Sequence, residues 1–232
     1  MKFKLPVLPL PNVVFFPHTN LPVHIIEPFY VQLVEHCLKN ECPMGISLAI
    51  PSFRGKIDKN GIFKSTYIPM EVCAYGEPYI MERLPDDSIK ILIKGTGRAK
   101  IKNIVQNIPF PIFEAVDYPD QKTDAKFTNE LGMKRLQSMF RRWIEVGILD
   151  SVEREMFAQS IDSIHQVVDY LSMLVIKDIE VKQILLETTS IEERVHSLNM
   201  LLVGSLPHKE NDHRAKILKQ FENLENIVVN GQ

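Results

Sequence analysis

Soft metal ligands come close together at His36-Cys37-x4-Cys42 in the 232-residue sequence. His36 and Cys37 are neighbours on one predicted helix and point in different directions. No second pair stands at a zinc spacing, so core and surface roles fit these residues better and no metal site is expected. Cys73 lies in a predicted strand and reads as a small buried hydrophobe. Nucleophile signatures are missing: neither G-x-S-x-G nor H-E-x-x-H occurs. The seven histidines are scattered without a partner pattern. Asp86-Asp87 pairs two carboxylates in a turn, where solvation is the ordinary role. No catalytic residue and no cofactor are expected.

Binding chemistry has three candidates. Lys90, Lys94, Arg98, Lys100 and Lys102 are all even-numbered around one Gly-rich bend, so on strands they would share a face. Such a stripe suits RNA phosphates, but few aromatics are interleaved to stack bases, and a solvated face is the favoured reading. Phe53, Ile57, Ile62 and Phe63 lie in or beside a polar loop. They form a contact patch or tuck back as satellite core, and both readings stand. Tyr67, Tyr75 and Tyr79 line a groove or are half-buried strand residues, the second being favoured.

These residues need elements to position them. Six prolines break the apolar stretch Met1–Pro28, so no helix runs through it, and it reads as extended pieces at Lys4–Pro9, Val13–Phe16 and Leu21–Ile26. Phe15 and Phe16 are expected in the core. Glu27-Pro28 opens a helix with Ile26, Phe29, Tyr30, Leu33, Val34, Cys37 and Leu38 on its apolar stripe. Met44–Ile50 is a short buried strand. Pro51–Ser65 is a loop, or a hairpin across Asn60-Gly61. Tyr67–Glu77, Tyr79–Leu84, Ser88–Lys94, Arg98–Val105 and Phe113–Tyr118 follow as strands, with Pro78 ending the first and Gly95-Thr-Gly97 bending the chain. Many short strands separated by turns point to a barrel or sandwich.

Beyond Pro119 the pattern becomes helical. Phe127, Leu131, Leu136, Met139, Phe140, Trp143 and Ile144 mark a long amphipathic helix. Met156, Phe157, Ile161 and Ile164 give a second apolar face, and Val167–Ile176, Val181–Leu186 and Val195–Val203 three more. Asp150-x-x-Glu153 and Ser190-x-x-Glu193 look like capping boxes. Short connections favour an antiparallel bundle. Ile217, Phe221, Leu224 and Val228 stripe a charged tail and hint at self-association.

Composition agrees with this division. Residues 1–119 hold fourteen of the fifteen prolines, and their 13 Lys+Arg against 11 Asp+Glu give a net +2. Residues 120–232 carry 14 against 18, a net −4. The expected units are therefore 1–119, 126–204 and a tail at 205–232, with Pro119–Ala125 as linker. A total of −2 gives no general pull toward nucleic acid or membrane, and no apolar run is long enough to span a bilayer. Met-Lys-Phe-Lys before an apolar run has the look of a signal peptide, but prolines interrupt it and no cleavage site follows. Three cysteines make no disulfide framework, and the cytoplasm is the expected location.

Six segments in series resemble the N-terminal, substrate-binding domain of Lon proteases. They are Leu8-Pro9-Leu10, Val13-Val14-Phe15-Phe16-Pro17, Leu21-Pro22-Val23-x-Ile25-x-Glu27-Pro28-x-Tyr30 with Met44-Gly45-Ile46, Leu84–Ile101, Phe110–Ala115, and Lys182–Glu187 with Arg194 and Leu198. The likeness covers roughly residues 5–204. Asp87 stands where the family usually has the Gly of an Asp-Gly turn, which implies another turn type. The sequence stops where Lon continues, with no G-x-x-x-x-G-K-[ST] and no counterpart of Lon's Ser-Lys dyad. The resemblance implies an α+β fold: a PUA-like β-barrel with an inserted helix, followed by a C-terminal α-helical bundle. It also implies a non-enzymatic module that binds unfolded or hydrophobic protein segments, with protein or peptide clients and full-length Lon or a second copy as partners. RNA binding through the basic stripe is the alternative.

Overall fold

The proline-broken N-terminal stretch forms two strands rather than three. In the computed structural model, which describes residues 2–57, 63–121 and 130–202 (side chains at 52–57 and 63–66 aside), β1 is Lys2–Leu10 and β2 is Asn20–Ile25. Val13–Phe16, expected as a strand, is irregular. Pro11 and Pro17 bracket it, and Asn12 and His18 turn the chain with φ angles of 60° and 57°. Its apolar residues are core all the same: Phe15 and Phe16 are both fully buried. Helix α1, Pro28–Lys39, starts on its proline and buries Leu33, Val34 and Cys37. Ile26, Phe29 and Leu38, expected on the same stripe, stay exposed.

Five more strands follow: β3 (Met44–Ile57), β4 (Phe63–Pro69), β5 (Val72–Arg83), β6 (Ile89–Gln106) and β7 (Ile112–Asp117). The polar segment after Ile50 is thus largely strand, and Ile57 pairs with Phe63. The Asn60-Gly61 turn lies outside the described residues. Spatial order is β1-β7-β6-β5-β3-β4, with β2 on β6. β1 also pairs β3 in parallel, so the path β1-β7-β6-β5-β3 returns to its start; the other pairs are antiparallel.

Two expected breaks are absent, for physical reasons. β5 runs through Pro78 because its pairing with β3 ends at Gly76. The missing N–H then costs no ladder bond. β6 runs through Gly95-Thr-Gly97 as a bulge: Tyr75 pairs with Gly97 and Gly76 with Gly95, leaving Thr96 over. A Cβ on Gly76 would meet the Lys94 carbonyl oxygen at 2.1 Å, so only glycine allows this approach.

The extra residue inverts the alternation along β6. Ile89, Ile91 and Ile93 belong to the larger core cluster, whereas Ala99 and Ile101 pack with Leu5, Val7, Cys73, Phe113 and Ala115 in a second one. Lys90 and Lys94 therefore lie on the opposite sheet face from Arg98 and Lys100, and the expected common basic face is not formed. In the preceding turn Asp87 takes a φ of 63°. It adopts the left-handed backbone that glycine would supply, so the substitution does not change the conformation required.

The second half holds α2 (Glu130–Gly147), α3 (Ser151–Ser160), α4 (Ile164–Leu174), α5 (Ile179–Glu187) and α6 (Ile191–Leu201). Asp150 accepts from the amides of Val152 and Glu153, and Ser190 from that of Glu193. The two-way capping box is at Ser163 and Gln166, a position not read from the sequence. Met156 is exposed, and Ile161 ends α3 in extended backbone, so the expected second apolar face splits between α3 and α4. The described residues form a mixed α+β fold, a seven-stranded sheet with six helices. Leu136, Phe140, Trp143, Val168 and Val195 share one core cluster with Phe15, Phe16 and Ile91, so sheet and helices bury a common core. Among the described residues no helix is long and apolar enough to cross a membrane. Residues 122–125 of the expected linker and the expected tail at 205–232 lie outside the described residues.

Phe15 is a fully buried member of that shared core. Phe15→Ala is expected to lower unfolding free energy by about 3–5 kcal/mol, read by urea denaturation; an unchanged midpoint would contradict its burial.

Candidate functional site

The site begins with a close approach of two backbones. His18 N–H donates to the Gly95 carbonyl at 3.2 Å, and Gly95 N–H donates to the Thr19 carbonyl at 2.8 Å. A Cβ on Gly95 would meet the Phe16 carbonyl oxygen at 2.7 Å, so glycine lets the Pro17-His18-Thr19 loop dock on β6. The docked loop sets His18 at the rim of a cleft between strands and helices. That cleft has a volume of about 590 Å³, and Tyr75, Thr96, Arg98, Asp120, His165, Asp169 and Arg194 are among its lining residues.

Its floor is a network of buried charges. Arg194 of α6 is 1% exposed and forks between two carboxylates. Nη1 donates to Asp169 Oδ1 at 2.7 Å, and Nη2 to Asp120 Oδ2 at 2.5 Å. Arg98 of β6 donates to the other oxygen of Asp120, and to the carbonyls of Leu186 at 2.7 Å and Thr188 at 3.0 Å. Two cations thus meet two anions, with Arg98, Arg194 and Asp169 buried and Asp120 20% exposed, each making more than one hydrogen bond. Burial pulls the Arg98 guanidinium below its ordinary value, against the opposing charge of Asp120. Burial pushes the Asp120 carboxyl up, but the hydrogen bond from His165 and the charges of Arg194 and Arg98 outweigh it and hold it low.

Two imidazoles stand on this floor. His18 Nδ1 lies 3.0 Å from Asp169 Oδ2, and His165 Nδ1 lies 2.9 Å from Asp120 Oδ2. Their ring centres are 6.2 Å apart.

The sequence singled out few of these residues, and Arg98 for the wrong reason. Arg98 is 4% exposed with its guanidinium committed to the helices, so it leaves the basic stripe. Lys90 pairs with Glu82 at 2.6 Å and Lys100 with Glu71 at 3.1 Å. Lys102 instead shares a smaller cleft with Lys2 and Lys4. Tyr75 donates to Asp117 on the cleft wall. Tyr67 is exposed on β4, and Tyr79, opposite Leu92, is exposed on β5. Phe53, Ile57 and Phe63 have their backbone on β3 and β4, and Ile62 lies outside the described residues. Burial, then the neighbouring Cys42, raises the Cys37 thiol, and burial pushes Cys73 up to about 12; neither is a thiolate at neutral pH. His18, Asp120, His165, Asp169 and Arg194 had no local motif. Asp169 and Arg194 did leave a trace, as lone charges on otherwise apolar helix stripes, which are rarely buried unpaired.

The family model of the ATP-dependent protease La (LON) substrate-binding domain matches residues 4–204. The chain belongs to this family. It is 24% identical over 223 residues to Lon protease 1 of Myxococcus xanthus, covering 94% of this chain and 27% of that protein. It is 25% identical over 220 residues to Lon protease of Rhizobium meliloti strain 1021, covering 94% and 26%. The chain thus spans about a quarter of the length of these curated relatives. A Lon N-terminal domain protein from Xanthomonas campestris superimposes with a TM-score of 0.55 at 17% identity, covering 88% of this chain and 99% of that one. The N-terminal domain of Mycobacterium avium complex Lon protease gives 0.59 at 15%, covering 88% and 100%. These likenesses establish the Lon N-terminal domain fold.

Two outcomes follow for the buried network of this Lon-type domain. Asp169→Ala leaves Arg194 half-paired in the core and is expected to cost about 3–5 kcal/mol in urea denaturation. A cost under 1 kcal/mol would show that the network contributes little. Asp120 has its folded pKa below the ordinary aspartate value of 3.8. Its stabilisation is therefore complete above that value and is lost as pH falls through the folded pKa. The stability gap between wild type and D120N should be widest at neutral pH and shrink below about pH 4; a gap that does not change with pH would contradict this.

Proposed function

We propose that the chain is a non-catalytic module that binds unfolded or hydrophobic segments of other proteins, as an adaptor in cytoplasmic proteolysis. The observation that carries this reading is the match of the Lon substrate-binding family across residues 4–204. We read the strand half (1–119), whose pairing path returns from β3 to β1, as a PUA-like barrel. The helices of 126–204 are read as a bundle, and 205–232 as a tail suited to self-association.

The β3–β4 ribbon supplies the docking surface. β3 pairs with β1 only as far as Leu48 and with β5 only as far as Ile46; from Ala49 onward its partner is β4. Among the described residues no other strand pairs with the outer edges of this ribbon, which therefore offer backbone groups for strand addition by an extended segment. Ile50 and Ile68 are direct cross-strand partners, 46% and 52% exposed, and Tyr67 is 48% exposed beside them. Phe53, Ile57 and Phe63 continue the same two strands. Tyr79 lies beyond the β3 pairing and is a separate contact point. RNA is the weaker reading, because the bulge at Thr96 divides the basic residues between two faces.

Wild type is expected to bind reduced, denatured casein, and Ile68→Lys to weaken that binding about tenfold, the loss of one interface contact of ~1.4 kcal/mol. Folding stability should change by no more than about 0.5 kcal/mol, as for other exposed positions. Fluorescence anisotropy would measure it. No casein binding by the wild type would overturn the proposal, and full binding by I68K would move the docking surface elsewhere.

A further inference from the structure

Helix α1 ends in a way that brings two of the three cysteines together. Glu41 takes a φ of 49° and turns the chain back on the helix. Cys42 N–H then donates to the Cys37 carbonyl at 3.0 Å, and Glu41 N–H to the Leu38 carbonyl at 3.4 Å. These are the two bonds of a Schellman helix end, whose first and last residues are the ones that bring their side chains into contact. Here both are cysteines. With standard bond lengths, such a backbone link keeps the two Cα atoms within about 6.5 Å, inside the span that a disulfide bridges. Cys37 is 1% exposed in the larger core cluster, and Cys42, half-buried, packs against that same cluster. Burial raises the Cys37 thiol first, and the charge and hydrogen bonding of Cys42 raise it further, so the two sulfurs interact directly. Cys73 is fully buried in the other cluster.

We propose that Cys37 and Cys42 form a peroxide-sensitive thiol pair that closes to a reversible disulfide across the C-terminal end of α1. Their unlike exposures give them unlike roles. Cys42 is reachable from solvent and is the entry point. Its thiolate attacks one oxygen of a hydroperoxide; the O–O bond breaks and a sulfenic acid forms on Cys42. The hydroxide that leaves takes up the proton Cys42 had released, giving water. Cys37 is kept protonated and away from solvent by burial, so peroxide does not oxidise it directly. Its sulfur attacks the sulfenic sulfur instead. The S–S bond forms, the S–O bond breaks, and the hydroxyl leaves as water with the Cys37 proton. In balance, two thiols and one hydrogen peroxide give one disulfide and two waters, and the peroxide takes up the two electrons. Thiol exchange with an external dithiol reopens the bond. The bridge ties the last turn of α1 to the residue two positions before β3, which starts at Met44. The Pro43 carbonyl, which accepts from the Cys37 thiol at 3.8 Å, loses that donor on closure.

Treatment of the reduced full chain with hydrogen peroxide, followed by a thiol-alkylating quench and trypsin, tests this. Trypsin cuts after Lys39, so Cys37 and Cys42 fall on separate peptides, Leu5–Lys39 and Asn40–Arg54. Only a disulfide joins them. The intact mass of the wild type should fall by about 2 Da, the two hydrogens lost on pairing. The two peptides should then appear linked, and dithiothreitol should separate them. Cys42→Ser should lower the linked product at least tenfold and leave Cys37 open to alkylation after unfolding, while Cys73→Ser should behave like the wild type. Dimedone, which traps sulfenic acids, gives a reading on the unaltered protein that no folding defect can mimic: added with the peroxide, it should label Cys42 and neither Cys37 nor Cys73. Oxidation that stops at a sulfenic or sulfinic acid on Cys42, a disulfide between two chains, a link through Cys73, or an unchanged mass would each overturn the proposal.

Discussion

The placement of the helices on the sheet takes a direction from the Arg194 fork between Asp120 and Asp169. The apolar core shared by sheet and helices resists separation, but hydrophobic burial is non-directional and tolerates sliding. The fork does not. Asp120 follows the last strand, Asp169 is on α4 and Arg194 on α6, and Arg98 reaches the same Asp120 from β6. Three of the four charged side chains, Arg98, Asp169 and Arg194, are buried and Asp120 is 20% exposed; removal from solvent alone costs several kcal/mol per buried ion. That cost is offset only when every partner is in place and aligned, so the seam forms as a unit. Geometry rather than gross stability is what such a network contributes.

Its influence extends along α5. The last turn of a helix leaves carbonyls without partners, and here the sheet supplies them. Arg98 serves Leu186 and Thr188, and the Tyr118 hydroxyl serves Glu187 at 3.1 Å. Two guanidinium bonds near a helix C-terminus also oppose the negative end of its dipole. Gln183 adds a bond to the Val72 carbonyl of β5 at 3.0 Å. Helix α5 is thus positioned from the sheet, while its own sequence fixes only its start, through Asp178.

What was legible in the sequence follows from the range of each interaction. Proline positions, the Glu27-Pro28 helix entry and the caps at Asp150 and Ser190 are local, and they appear where expected. Strand continuity through Pro78 and through Gly95-Thr96-Gly97 was not legible, because it depends on which neighbour is absent at Gly76 and on one unpaired residue opposite Tyr75. The face of Arg98 was misread for the same reason: parity counting assumes no bulge. The contacts of the cleft were beyond local reading altogether. His18 and Asp169 are 151 positions apart and Arg98 and Leu186 are 88 apart, and no spacing rule reaches that far. The six-segment resemblance gave the family, but it carried no account of what Arg98 and Arg194 do.

In the proposed reading the seam and the β3–β4 ribbon differ in their physics. The charged groups of the seam pair mainly with one another, with Arg194 Nε the buried exception. The ribbon is the reverse. Among the described residues its two strands pair only with each other beyond Leu48, and Ile50 lies opposite Ile68 with both exposed. A two-stranded ribbon is marginal by itself, and exposed edges invite uncontrolled pairing between copies. The ribbon's backbone pairing continues to Ile57 and Phe63. In the proposed docking mode an extended segment gains hydrogen bonds along an edge and apolar contact beside Ile50 and Ile68, a gain the charged seam does not offer.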